Sequence, residues 1–252
     1  MMNRTGGRKN ANRDLSLGWF CANSGAVQLR LAGSVCEVDL VIFDCDGVLL
    51  DTMEQKIRAF REWVPAQHTQ HADAFMDRVM HGFGKSRFHH IKSFYADIVG
   101  LAPAPEFLKE EIARFTEICE PLCASAGWLP GSREFLEACR GAGAMCYVLS
   151  GMPEEPLIEM LAAHGARAIS AEEPDAIFDR IYGSPPGKPQ RMEAILSETH
   201  TPAHRAVFVG DADADREAAA HVGASFVYKP SKAARPMGEM PTIVEDLREL
   251  LV

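Results

Sequence analysis

Residues 43–52 read FDCDGVLLDT, in which two aspartates, Asp44 and Asp46, stand one residue apart directly after the apolar run Leu40-Val41-Ile42-Phe43. Three more polar clusters lie farther along: Ser150-Gly151 after an apolar stretch, Lys188 within SPPGKP, and Asp211, Asp213 and Asp215 within VGDADAD. Carboxylates brought together from separate strands repel one another and are driven to protonate, unless a divalent cation with oxygen ligands neutralises them. The set therefore asks for a hard cation, and Mg²⁺ is the expected one. A nearby lysine offsets the remaining charge and holds an anion, while a serine hydroxyl and the amides after a strand donate to phosphoryl oxygens. Phosphoryl transfer uses those parts. An aspartate can also be the nucleophile, so one of Asp44 and Asp46 attacks while the other handles protons. Taken singly, an aspartate after a strand is a turn residue or helix cap, and a lone Gly-Asp or Ser-Gly pair says little. The four clusters in this order carry the reading.

Positioning these groups requires strands that end side by side. The 40–43 run is apolar throughout, as in a strand buried on both faces of a parallel sheet. From 53 to about 119 no strand pattern is found; helices are expected over 56–63, 72–80, 87–99 and 105–119, separated by Pro65, Gly82, Gly84 and the loop at 100–105. Past residue 130 the pattern alternates, with helices at 132–140, 154–164, 190–199, 215–222 and 244–250. Strands at 145–149, 206–209 and 225–228 and short apolar segments at 166–170 and 177–181 lie between them. Such alternation predicts an α/β fold, an open parallel sheet with helices on both faces and ligands bound beyond the carboxyl ends of its strands. The expected organisation is a flexible N-terminal tail over 1–37, a catalytic core from 38–51 and 129–252, and an inserted helical cap over 52–128.

Composition sets outer limits. The chain has 252 residues, 47% of them hydrophobic, a formal net charge of −9 and a pI near 5.5. An acidic balance argues against a nucleic-acid partner, whose footprint is basic. No run approaches the roughly 18 apolar residues of a membrane helix, so no membrane partner and a cytoplasmic location are expected. Seven cysteines without metal-type clustering suggest reduced thiols. Of these, Cys119 and Cys123 lie one helical turn apart.

The four motifs resemble those of the haloacid dehalogenase superfamily of phosphohydrolases: FDCDGVLLD, VLSG, the lysine of SPPGKP, and VGDADAD. The resemblance spans residues 38–252. It implies a Rossmann-like three-layer core, and the insertion resembles the helical cap of the subgroup with phosphoglycolate phosphatases and β-phosphoglucomutases. It further implies that Asp44 is the nucleophile and that Asp46 protonates the leaving oxygen and then activates water. Ser150 and the Gly151 amide would hold the transferring phosphoryl group, and Lys188 would pair with it and with Asp44. Asp211 would bind Mg²⁺ with the Asp44 carboxylate and the Asp46 carbonyl, supported by Asp215. Asp46 itself favours phosphate esters, since relatives that cleave carbon–halogen or carbon–phosphorus bonds usually lack that acid.

Between Asp77 and Asp97 lies HGFGKSRFHHIKSFYA, with Lys85, Arg87 and Lys92 and no acid. Such a segment fits a second anionic group on the substrate, against the alternative of a solvated helix face. GKSR resembles a loop of β-phosphoglucomutase-like caps, which makes Arg87, with Lys85, the expected specificity residue. Neighbouring His89 and His90 are not expected to share a metal, because adjacent helical residues point apart. The expected function is an Mg²⁺-dependent phosphatase acting on a small phosphorylated metabolite through an aspartyl-phosphate. Alternatives are a phosphomutase and, more remotely, a non-catalytic phospho-accepting or partner-binding protein. Monomer and dimer are both open.

Overall fold

The computed structural model describes residues 25–82, 84–232 and 238–252. Of the expected tail, residues 1–24 lie outside the described ones. The rest is a correction: β1 (Val27–Leu31) and β2 (Ser34–Val38) pair in an antiparallel hairpin. Ala32 and Gly33 both take positive φ, 47° and 80°, as a two-residue turn matched to strand twist requires. Val27, Leu29 and Leu31 alternate inward and join the main core beside Leu247 and Leu250. Arg205 clamps the hairpin's far end, with Nε donating to Asp39 Oδ2 at 2.6 Å and Nη1 to Glu37 Oε2 at 2.7 Å.

The main sheet holds β3 (Leu40–Phe43), β4 (Met145–Pro153), β5 (Arg180–Ser184), β6 (Ala206–Gly210) and β7 (Ser225–Tyr228) in the order β5-β4-β3-β6-β7, all parallel. Its two faces are covered by different clusters. Val41 and Phe43 point into one, while Leu40 and Ile42 point into the other. Because β3 is central, with β4 on one side and β6 on the other, the chain changes direction around it. The crevice at its carboxyl end is where open α/β sheets take ligands.

Around the sheet run α5 (Ser132–Gly141), α6 (Glu154–Ala163), α7 (Lys188–Thr199) and α8 (Asp213–Val222). Three boundaries differ from expectation. Strand β4 continues past Leu149 through a register shift, so Ser150 and Gly151 lie within the strand rather than after it. Lys188 opens α7 instead of sitting in the preceding loop. The last helix shrinks to a 3₁₀ turn at Leu247–Leu250, enough to bury Leu247 and Leu250.

Between β3 and β4 lie α1 (Met53–Trp63), α2 (Ala72–His81), α3 (Arg87–Ser93) continuing into a π-helical turn at Phe94–Val99, and α4 (Pro105–Cys123). They share a core of their own, in which Phe60, Trp63, Phe75, Phe94 and Phe115 stack edge-on or tilted. Burying that much aromatic surface gives the insertion its own cohesion. No helix among the described residues is long and apolar enough to cross a membrane.

Candidate active site

Asp44 leaves the end of β3 through a main-chain bond to Val209 O, and Asp46 follows it onto the same side, while Cys45 between them is fully buried in the core. Gly47 turns the chain away at φ 77°; a Cβ there would stand 2.5 Å from Asp211 Oδ2, so the turn and the acid leave room for glycine alone. From β6, Asp211 projects into the same crevice, and from the first turn of α8 comes Asp215. Carboxylate oxygens of Asp44, Asp211 and Asp215 all lie within 4.8 Å of one another, and all three residues are buried. Asp213 pairs instead with Arg216 at 3.1 Å and is not in that group.

Lys188 is the cation that pairs with these acids among the described residues. Lys188 Nζ stands 3.1 Å from Asp44 Oδ1 and 2.5 Å from Asp215 Oδ1, and the other Asp215 oxygen accepts from the Ala212 amide at 3.1 Å. Lys188 does not neutralise them. Burial, opposed by Lys188 and reinforced by Asp215 and Asp46, pushes the Asp44 carboxyl up to about 7. Burial and the charges of Asp44 and Asp215 likewise lift Asp211 well above the carboxylate range. Although burial works against its charge, Asp215 and Asp44 raise Lys188. Asp211 Oδ2 is buried with no hydrogen-bond partner, and Asp44 Oδ1 has only its ion pair. Unpartnered, close-set carboxylate oxygens are the donor set of a hard divalent cation. The residues fit one.

Asp46 is held differently. Its Oδ1 accepts from Thr52 Oγ1 at 2.5 Å, and its Oδ2 forms an ion pair with Lys56, both partners lying where the chain enters α1. Burial favours its neutral form, but Lys56 and the two hydrogen bonds outweigh burial and hold the carboxyl below its usual value. Ser150, 2% exposed, keeps its hydroxyl close to the strand by accepting from the Met152 amide at 3.2 Å.

A cavity joins these groups to the helical insertion. Its floor is Asp44, Asp46, Ser150, Gly151, Lys188 and Asp211; its roof includes Lys56, Lys85, Arg87 and His90. The roof is down on the floor. A Cβ on Gly151 would come within 3.1 Å of the Gly84 carbonyl oxygen, and one on Gly84 within 2.8 Å of the Ala212 Cβ. Arg87 is 5% exposed, donates to Thr116 Oγ1 at 2.6 Å and lies 5.3 Å from the Phe115 ring centre. Among the described residues no carboxylate pairs with it, so its charge is open to a ligand. Lys85 is exposed at the rim.

The structure thus gathers Asp44, Asp46, Ser150, Gly151, Lys85, Arg87, Lys188 and Asp211 around one cavity, with Asp215 fully buried behind Lys188. Sequence reasoning missed Lys56 and Thr52, and assigned His90 no role at the cavity. Lys56 follows Thr52 by one helical turn, and that spacing is the signal that places both on the face toward Asp46. His90 is 2% exposed; burial, then the charges of His89 and Lys85, lower its pKa to about 4, so it meets the cavity as a neutral ring.

Fold and site together define an α/β enzyme whose acids converge at strand ends beneath a helical roof. The chain belongs to the haloacid dehalogenase-like hydrolases, whose family model matches residues 38–223. Among solved structures it is similar to CbbY from Rhodobacter sphaeroides, crystallised with phosphate and as a mutant with xylulose-(1,5)bisphosphate. The identity is 21%, the TM-score 0.65, and the match covers 84% of this chain and 96% of that one. It is also similar to a β-phosphoglucomutase from Clostridium difficile, at 18% identity and TM-score 0.64 over 84% of this chain and 92% of that one. A predicted phosphoglycolate phosphatase from Haemophilus somnus matches at 18% and 0.61 over 83% and 95%. These likenesses establish the fold. No curated protein matches the sequence.

Proposed function

We propose that this hydrolase is an Mg²⁺-dependent phosphoric monoester hydrolase that cleaves a small phosphorylated metabolite in the cytoplasm. The observation that carries the proposal is the cavity, which sets an acid–lysine floor against a roof bearing Arg87, Lys85 and Lys56. Such a space suits an ester with a phosphoryl group below and a polar or anionic group above.

Asp44, Asp211 and the Asp46 carbonyl would hold the metal, with Asp215 in support. When bound, it offsets carboxylate charge and draws electron density from the phosphoryl oxygens. Asp44 Oδ attacks phosphorus while the bond to the leaving oxygen breaks, giving an aspartyl-phosphate and an alcohol. Ser150 and the Gly151 amide donate to the moving phosphoryl group, and Lys188 accompanies its charge. Asp46 gives the leaving oxygen its proton; the phosphoryl group's own negative charge, arriving beside Asp46, favours the protonated form that this step needs. As a carboxylate, Asp46 then takes a proton from the water that attacks the aspartyl-phosphate, releasing orthophosphate and restoring Asp44. The roof over the cavity would limit water until that second step.

Asp44→Asn should abolish phosphate release from p-nitrophenyl phosphate with Mg²⁺ while leaving the circular dichroism spectrum unchanged. Undiminished turnover removes Asp44 as nucleophile. The same groups would serve a phosphomutase, whose fold the chain shares, and following free phosphate against isomer formation from phosphosugars separates the two.

A further inference from the structure

We infer that Cys119 and Cys123 form a dithiol site that a peroxide converts to a disulfide, breaking the last turn of α4 and disturbing the segment by which the insertion returns to the core. The two thiols lie outside the four motifs and take no part in the proposed phosphate ester chemistry.

Four residues apart on α4, the two cysteines share one face of the helix, and their Sγ atoms stand 3.7 Å apart in a hydrogen bond. They are 2% and 3% exposed, at the edge of the aromatic cluster of the insertion. Cys45, Cys139 and Cys146 differ, being sealed in the main core, where burial raises the thiols of Cys45 and Cys146. At Cys119 the bond from Cys123 and, against burial, the charges of Lys56 and Arg87 bring the thiol down to about 7. The same bond, with burial, raises Cys123. A thiolate held beside cations, with a second thiol in reach, is the arrangement that peroxide oxidises.

The chemistry balances with hydrogen peroxide as the oxidant. The Cys119 thiolate attacks one peroxide oxygen, the O–O bond breaks, and a sulfenic acid and hydroxide form. Cys123 sulfur then attacks Cys119 sulfur; the S–O bond breaks, and the departing oxygen leaves as water with the Cys123 proton. Two electrons pass from the thiols to the peroxide, and a dithiol reductant reverses the change.

Regular helix cannot hold the product. Residues four apart on a helix keep their Cβ atoms about 5–6 Å apart, whereas a disulfide draws them to about 3.5–4.5 Å. The turn that must yield is already weak, because Pro121 has no N–H to give to the Glu117 carbonyl. Its end is tied to the way back to the core. The Ala126 amide donates to the Cys123 carbonyl at 3.0 Å, the Gly127 carbonyl accepts from the Asp51 amide at 2.9 Å, and Trp128 pairs with Leu50.

The test treats the reduced full-length chain with hydrogen peroxide, blocks free thiols with N-ethylmaleimide and maps the peptides by mass. A Cys119–Cys123 link should form, amides of residues 122–128 should exchange hydrogen faster than in the reduced chain, and dithiothreitol should undo both. Turnover of p-nitrophenyl phosphate should fall by about tenfold as the cap loses its seating. Cys119→Ser should keep its turnover in peroxide, and Cys123→Ser should carry a dimedone-trapped sulfenic acid at Cys119 and no disulfide. No link, a link through other cysteines instead, a link without faster exchange at 122–128, or a Cys119→Ser variant as sensitive as wild type overturns the inference. Mapping and exchange need only the wild-type chain, so they decide even where a serine variant misfolds. A reduced wild type that hydrolyses no phosphate ester counts against the proposed function instead.

Discussion

A carboxyl that folding drives up to about 7 makes the metal-free protein less stable as pH rises, and replacing Asp44 by asparagine should remove that dependence. Folding moves Asp44 from 3.8 to about 7, by burial first, then against Lys188 and with Asp215 and Asp46. Since the folded chain binds this proton more tightly than the unfolded chain, the stabilisation is complete below about pH 4 and lost as pH climbs through 7. Between pH 5 and pH 8 this one group accounts for roughly 2–3 kcal/mol, or about 5 °C in Tm for a chain of this length. Asp211 shifts in the same direction, partly through the charge of Asp44, so its shift lessens in the variant and adds to the difference with the same sign. The assay is thermal and urea unfolding followed by circular dichroism in EDTA, at intervals from pH 5 to pH 8, for wild type and Asp44→Asn. The variant should gain on the wild type by that amount across the interval, and Mg²⁺ at pH 8 should lift the wild type more than the variant. A difference curve flat to within about 0.5 kcal/mol would refute the picture of crowded, unneutralised acids.

Arg87→Ala should raise KM for the natural metabolite about tenfold or more, the scale of a hydrogen bond to a charged group, and should change KM for p-nitrophenyl phosphate much less. Equal effects would remove Arg87 from specificity; a screen of phosphorylated metabolites with Mg²⁺ supplies the substrate. Gly84→Ala should lower kcat/KM by about tenfold or more by holding the cap off the core, because its Cβ would meet those of Ala212 and Ala214 at 2.8 and 3.2 Å and its φ is 87°. Cap and core keep separate apolar clusters, so Tm should fall only slightly, and wild-type kinetics in this variant would mean that the contact is dispensable.

Much of the core was legible because its signals are local. Four consecutive apolar residues at 40–43 specify a strand buried on both faces, and Ser225–Tyr228 was expected to the residue. The hairpin at 27–38 was missed, although Val27, Leu29 and Leu31 alternate with Gln28 and Arg30 and Ala32-Gly33 forms a two-residue connection. A strand of five residues gains stability only from what it packs on, and its partners Leu247 and Leu250 are more than 200 positions away. The extension of β4 through Ser150 escaped notice for a similar reason, since a register shift depends on the neighbouring β5 rather than on local pattern.

Sequence alone singled out the candidates for chemistry: Asp44, Asp46, Ser150, Lys188 and Asp211 stand out by type and by their order along the alternating strands and helices, and that information is one-dimensional. Only the tertiary structure decided how they are shared out. Lys188 goes to Asp44 and Asp215, Asp213 turns to Arg216, and Asp46 is taken by Thr52 and Lys56 from the cap. Which cation meets which acid depends on distances of a few ångströms between elements far apart in the chain, and at those distances burial and charge together set each group's protonation.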